Sequence, residues 1–316
     1  MKRRRFKKLL PLISLILFGA AVYILYGEAQ HYSIHQLISH MQLLPTWQYL
    51  LALVLVAVVY LVLTLYDKLA FLYINEHHHW KKIAFGAFLG YAFSNNISPT
   101  LLVGGSMRYR IYSSMGISGM SVTNVVAFNS ISIWVGLMAV GSISFVFKSL
   151  TLPEQINLPI PLVSLQTLGW IFLITLITYF VLTRLITGTV QFRGRTFRFP
   201  DTKLALGQLS VSSMDWLLSS AVLFLLLPPT SEVSYLYFVG IYAVAFIIGL
   251  MTQIPGGLGV FESINLLFLS PFMDSGEILA SLILFRLLYF VLPLIVASVL
   301  LLFFEWRKQV QPVEQS

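Results

Sequence analysis

The chain has 316 residues, 58% of them hydrophobic and 10% charged, with a mean hydropathy of +0.84 and a formal net charge of +8. Apolarity on this scale excludes a soluble globular domain, and the absence of cysteine excludes a disulfide framework, a thiolate metal site and a thiol nucleophile. Basic residues facing anionic headgroups account for the positive charge without nucleic acid.

A hydrocarbon core about 30 Å thick takes roughly 20 apolar residues per helix. Runs near that length predict spans at 9–26, 48–66, 119–146, 166–187, 204–227, 235–252 and 278–304. The period-two alternation of an outer-membrane barrel is absent, so the spans are helices. The opening MKRRRFKK has the charge of a signal n-region, and Arg3-Arg4-Arg5-Phe6 resembles a twin-arginine signal. The run Leu9–Tyr26 is long enough to span and more spans follow it, so it reads as an uncleaved anchor. An amphipathic piece lies in the connection 27–47, and Asp67 follows Tyr66 at the end of the second span. His77, His78 and His79 are consecutive, so their side chains cannot converge on one ion, and they read as a solvated tract with no metal expected.

Two further runs, 83–103 and 258–272, are short or interrupted. The first contains SNNISPTLLVGGSMRYR (94–110) and the second begins in QIPGGLGVFES (253–263). Proline lacks an amide and clashes with the preceding turn, and the glycines leave the backbone irregular. Such a pair, one per half, suits either re-entrant elements lining a cavity near the bilayer midplane or two ordinary kinks. Gly86 and Gly90 form a small-xxx-small pair, a pattern of close helix packing. Asn95 and Asn96 are placed to bond carbonyls freed at the break. With the N-terminus in the cytoplasm and 83–103 dipping in and out on one side, every one of the 20 basic residues except Lys148 and Arg286 falls on the cytoplasmic side. The positive-inside rule therefore predicts both termini cytoplasmic and about eight crossings. The expected fold is an all-α polytopic membrane protein with two broken segments, one integral domain over 1–316, with a basic 1–8 N-terminus and a short 305–316 tail.

Ionisable groups inside the spans mark the candidate site. Asp215 lies near the middle of 204–227 and Arg286 lies about eight residues into 278–304; each costs roughly 2.5–3.5 kcal/mol at a helix centre. They are functional candidates or, equally, a buried pair that locks helices together. Glu262 follows the PGG turn, where a half-helix N-terminus would face a cavity and hold an anion, or where the carboxylate would cap the helix. Arg108 and Arg110 project about 200° apart on a helix. One is expected to face the headgroups and the other to face inward with Tyr109 or Tyr112, where a guanidinium fork suits phosphate. No P-loop, zinc motif or nucleophile–base arrangement is present, so no catalytic residue and no cofactor are assigned.

The series Leu65-Tyr66-Asp67, GGSMRYRIYSSMG (104–116), Asp215-Trp216, IPGGLGVFE (254–262) and FRLLYFVLP (285–293) resembles the lysylphosphatidylglycerol synthase transmembrane family, over roughly residues 9–305. The resemblance implies a flippase-like domain of the bacterial inner membrane that moves a phospholipid, such as aminoacylated phosphatidylglycerol or another anionic glycerolipid. By residue match it implies functional positions at Arg108, Arg110, Gly256, Gly257, Gly259, Glu262 and Arg286, to which the reading above adds Asp215, with Asp67, Asn95, Asn96, Tyr109 and Tyr289 in support. The full resistance factor of that family carries a soluble aminoacyl-transferase domain that this sequence lacks, so an aqueous transferase is not expected. Two alternatives stay open: an accessory lipid-binding subunit for a separately encoded transferase, and an intramembrane lipid-modifying enzyme using Asp215 and Glu262. A membrane phospholipid is the expected partner, with room for a homo-oligomer.

Overall fold

The computed structural model describes residues 39, 44–96, 100–147, 165–186, 189–192, 195–230, 232–252 and 254–310. The expected anchor 9–26, the basic N-terminus, most of the connection 27–47, the connection around Lys148 and the tail after 310 lie outside the described residues. Among the described residues the protein is helical. Six helices are long and apolar enough to cross a membrane: Thr46–Tyr73, Gly119–Phe147, Leu165–Leu185, Thr202–Leu226, Tyr235–Thr252 and Ser275–Arg307. This is a multi-pass membrane protein.

The chain opens with α1 (Thr46–Tyr73), entered through extended Pro45, which cannot continue a helix backwards. It follows with α2 (Trp80–Asn96) and α3 (Thr100–Ser114). At 17 and 15 residues, about 25 and 22 Å long, neither crosses the core alone. They pack against each other as an antiparallel hairpin: a Cβ on Gly86 would meet the Tyr112 ring, one on Gly90 the Arg108 side chain, and one on Gly104 the Ser94 side chain. The small-xxx-small pair thus makes room for two polar side chains of α3. The break between these helices, 97–99, lies outside the described residues.

Helix α4 (Gly119–Phe147) packs on α1 and on α6 (Thr202–Leu226). At its closest point a Cβ on Gly136 would stand 2.5 Å from the Ser212 backbone, so only glycine fits there. Helix α5 (Leu165–Leu185) packs mainly on α4 through Gly169 and reaches α6 where the Tyr179 hydroxyl donates to Gln208; isoleucines and Trp170 cover its outer face. Between α5 and α6 the connection forms a small antiparallel hairpin, β1 (Thr189–Phe192) with β2 (Arg195–Arg198), pairing Thr189 with Arg198. Among the described residues it is the departure from the all-α expectation, and in β1 the apolar Val190 and Phe192 alternate with the polar Thr189 and Gln191. Helix α6 starts at Asp201, whose side chain accepts the Leu204 amide at 2.8 Å.

The second half brings α7 (Tyr235–Thr252), the Pro255–Gly257 turn, α8 (Val260–Leu269) and α9 (Ser275–Phe285). A π-helical turn, Arg286–Val291, joins α9 to α10 (Leu292–Val310). The expected unbroken span 278–304 therefore holds a widened turn. An aromatic core gathers where α1, α6, α7, α8 and α9 meet, around Trp216, Phe238, Tyr242, Phe261, Phe285 and Tyr289.

Candidate functional site

Three glycines of the broken segment take positive φ: Gly256 at 58°, Gly257 at 62° and Gly259 at 81°. L-residues with a side chain rarely enter this region, which explains glycine at each place. At Gly257 a Cβ would also reach 3.5 Å from Gly249 Cα, so α7 and the turn are in backbone contact. Helix α8 begins directly after the turn. Glu262, in its first turn, accepts the Gly259 amide through Oε2 at 2.8 Å, so it caps the helix. Its other oxygen takes Arg286 Nε at 2.6 Å, while Arg286 Nη1 donates to the Gly256 carbonyl at 2.5 Å. One guanidinium thereby ties together the irregular carbonyl and the carboxylate of the helix cap. Arg286 can do this because the π turn starts with it, carrying it toward α8 and over the rings of Phe290 at 4.7 Å and Phe261 at 5.6 Å. Its Nη2 is buried without a partner among the described residues.

Next to this turn lies a cavity of about 340 Å³. At about 30 Å³ per water it holds some ten waters, or a lipid headgroup, but not acyl chains. Gly256 and Gly257 form part of its wall, and Asn95, Asp215 and Ser219 bring polar groups into it. Most of the remainder is aromatic, with Tyr91, Trp216, Tyr242, Phe246, Tyr289 and Phe290 among the rings. Asp215 accepts the Tyr66 hydroxyl on Oδ2 at 2.9 Å and the Ser219 hydroxyl on Oδ1 at 3.2 Å. Ser219 and Tyr289 share a hydrogen bond of 2.9 Å, and Tyr60 donates to the Tyr289 carbonyl at 3.2 Å. Asn96 donates to the Phe290 carbonyl at 3.1 Å, inside the π turn, where a carbonyl loses its usual partner. Arg286 is held against Gly256, Phe261 and Phe290, all three of which line the cavity.

A second polar cluster lies between α1, α3 and α4. Arg108 meets Asp67 in a fork, Nε to Oδ2 at 2.8 Å and Nη2 to Oδ1 at 3.1 Å. Tyr112 adds a donor to the same carboxylate at 2.6 Å and Asn129 another at 2.5 Å. The Arg108 guanidinium stacks 4.2 Å from the Tyr91 ring, which itself lines the cavity. Asp67 therefore pairs with Arg108 and not with its chain neighbour Lys68.

The structure brings Asp215, Gly256, Gly257, Asn95 and Tyr289 to one cavity, with Glu262, Arg286 and Gly259 just behind its wall. Asp67 and Arg108 sit beside it, separated by Tyr91. Arg110 is apart: it is exposed and pairs with Glu305 at 3.1 Å, and Tyr109 is also exposed. Neither of the isolated charges meets the other, since Arg286 takes Glu262 and Asp215 takes two hydroxyls. Ser219, Tyr91 and Tyr242 were not singled out by the residue pattern, and Tyr66 and Trp216 stood in the quoted series beside Asp67 and Asp215 without a role of their own. Ser219, one turn after Asp215 on the same face of α6, carried a usable signal; Asn129 carried none. In the connection after α1, His78 Nε2 lies 2.9 Å from Glu76 Oε2, and Ser121 donates to the other oxygen of Glu76. The Ser121 hydrogen bond, and then His78, hold the Glu76 carboxyl below its ordinary value.

The family model described as lysylphosphatidylglycerol synthase TM region matches residues 12–297. An uncharacterized Synechocystis protein, slr0712, is 34% identical over 307 residues, 96% of this chain and 94% of its own. The inner membrane protein YbhN of Escherichia coli is 29% identical over 253 residues, 79% of this chain and 78% of its own. A phosphatidylglycerol lysyltransferase of Staphylococcus epidermidis is 38% identical over 92 residues, 28% of this chain and 11% of that protein.

Proposed function

This chain belongs to the lysylphosphatidylglycerol synthase transmembrane-region family, and from that premise we propose that it is a phospholipid translocase of the bacterial inner membrane. The substrate would be aminoacylated phosphatidylglycerol or another glycerolipid with an anionic phosphate. The observation that carries the reading is one headgroup-sized cavity walled by both a broken helix and an intramembrane carboxylate. A charged group and an interrupted backbone are tolerable at membrane depth where protein encloses a polar space.

In this reading the headgroup enters the cavity while the acyl chains stay in lipid. Arg286 lies just behind the wall with Nη2 buried and unpartnered, a donor that turns to the phosphate as the headgroup enters. The glycine turn lets the backbone approach closely, because no Cβ stands between the cavity and the peptide units. Asp215, which lines the cavity itself, balances charge and contacts an amine where the headgroup has one. The Asp67–Arg108 pair anchors the α2–α3 hairpin against α1 and takes no direct part. The relationship to a phosphatidylglycerol lysyltransferase and to an inner membrane protein supports a lipid of that membrane as cargo.

The test is leaflet sidedness of acyl-labelled phosphatidylglycerol in proteoliposomes. The protein should exchange label faster than empty vesicles, and Arg286→Ala should slow it. Equal rates with and without protein would end the reading; lipid binding without exchange would favour an accessory subunit.

A further inference from the structure

Asp215 is the one formally charged side chain lining the cavity among the described residues, and no lysine, arginine or histidine among them forms an ion pair with it. Its oxygens are held by the neutral hydroxyls of Tyr66 and Ser219. The titratable groups facing it are phenols from every side: Tyr60 and Tyr66 on α1, Tyr91 on α2, Tyr242 on α7 and Tyr289 on the π turn. From α4 the apolar Ile133 lines the same wall. Beyond these stand Arg286, facing Tyr242, and the Asp67–Arg108 pair, facing Tyr91. Each of these cations already has its own carboxylate.

An ionised carboxylate in such a place is costly unless neutralised. It has two ways to become neutral, by taking a proton or by taking a cation. The cavity offers a cation more than the carboxylate, because the faces of aromatic rings attract an ammonium group. Resting on the translocase reading above, we propose that Asp215 is an exchange site at which one proton and the ammonium of a lipid headgroup displace each other, coupling lipid movement to proton movement in the opposite direction.

The exchange balances simply. The protonated Asp215 carboxyl gives its proton to water as the ammonium enters, and the resulting carboxylate pairs with it. The O–H bond is the only covalent bond broken, the carboxylate and ammonium charges cancel each other, and the headgroup phosphate is left to Arg286. The empty, ionised state is the unfavourable one, and its avoidance ties the two movements together.

The experiment uses the full chain in vesicles with traces of acyl-labelled phosphatidylethanolamine, which carries an ammonium, or acyl-labelled phosphatidylglycerol, which carries none. Exchange of either label without a gradient reports translocation. With an imposed pH gradient, phosphatidylethanolamine should accumulate in the leaflet facing the more acidic compartment, by up to about tenfold per pH unit at one-for-one coupling, as mass action requires. Phosphatidylglycerol should not respond. Asp215→Asn should lose the response and Asp215→Glu should keep it. In detergent, the affinity of the parent protein for short-chain phosphatidylethanolamine should weaken about tenfold per pH unit once the carboxyl is protonated. Exchange that ignores the gradient, an equal response with phosphatidylglycerol, a surviving response in Asp215→Asn or a pH-independent affinity overturns the coupling and leaves the translocase standing. No exchange under any condition overturns both.

Discussion

Asp67 and Arg108 meet through two parallel hydrogen bonds of 2.8 and 3.1 Å, and the carboxylate is fully removed from solvent. With Tyr112 and Asn129 also donating, each oxygen of Asp67 accepts two hydrogen bonds and its four acceptor positions are filled. Removing one member leaves the other charged and buried. Arg108→Ala or Asp67→Ala should each destabilise the protein by about 3–5 kcal/mol. The double variant Asp67→Leu/Arg108→Met should recover much of that loss. Thermal unfolding in detergent measures all three, and purely additive losses would contradict a paired role.

Gly256 has positive φ, and a Cβ there would stand 3.0 Å from Arg286 Nη1. Gly256→Ala should cost about 1–2 kcal/mol from backbone strain and slow lipid exchange, because Arg286 must withdraw from the Gly256 carbonyl. Gly105→Ala, whose added methyl would have ordinary contacts with Val126, provides the comparison. Similar effects at both positions would argue against a special role for the turn.

Arg286 uses two nitrogens on two acceptors at once, a geometry that an ammonium on a flexible stem does not reproduce. Arg286→Lys should therefore resemble Arg286→Ala in exchange rate more than it resembles the parent. A double-mutant cycle with Glu262→Gln should give a coupling energy of about 0.5–3 kcal/mol. Restoration of the parent rate by lysine would show that charge alone suffices.

Tyr66→Phe removes the 2.9 Å donor to Asp215 and leaves the ring in place. Loss of a hydrogen bond to a carboxylate should cost about 1.5–3 kcal/mol. Ser219→Ala, which removes the longer contact, should cost less. Unfolding midpoints of the two variants give the order directly.

Glu76 lies outside the spans, and its folded carboxyl titrates below the ordinary 4.5, chiefly through the Ser121 hydrogen bond. A lowered folded value means that the stabilisation is complete above 4.5 and is lost as pH falls through the folded value. The loss should be small, since the Glu76 side chain is 36% exposed. Ser121→Ala should shrink it further, visible as a flatter acid limb in unfolding midpoint against pH.

The helices were legible in the sequence because each apolar run had to be long enough to cross oil: the expected 119–146 and 235–252 are observed as Gly119–Phe147 and Tyr235–Thr252. The break at Pro255 was legible because proline and glycine act locally. Pairing was not, because it depends on which helices pack together. Arg286 reaches Glu262 from 24 residues away and Arg108 reaches Asp67 from 41, and chain distance says nothing of either. Asn129 and Tyr242 sit inside apolar runs where a polar cap on one face is invisible without the partner. The π turn left one trace in FRLLYFVLP: Pro293 has no amide to give the Tyr289 carbonyl four residues back, and Tyr60 donates to it instead.

That widened turn has a consequence for how this segment can vary in length. Each residue in a regular helix rotates the chain by about 100°, so a π turn is a single surplus residue absorbed without passing the rotation on. Deleting lipid-exposed Leu287 would tidy the hydrogen bonding, yet it would swing the two flanking pieces about 100° out of step. Either the guanidinium would leave its carboxylate or α10 would lose its seat on α2. The untidy version is the one that fits, and shortening this helix by one position would be tolerated worse than changing any of its lipid-facing side chains.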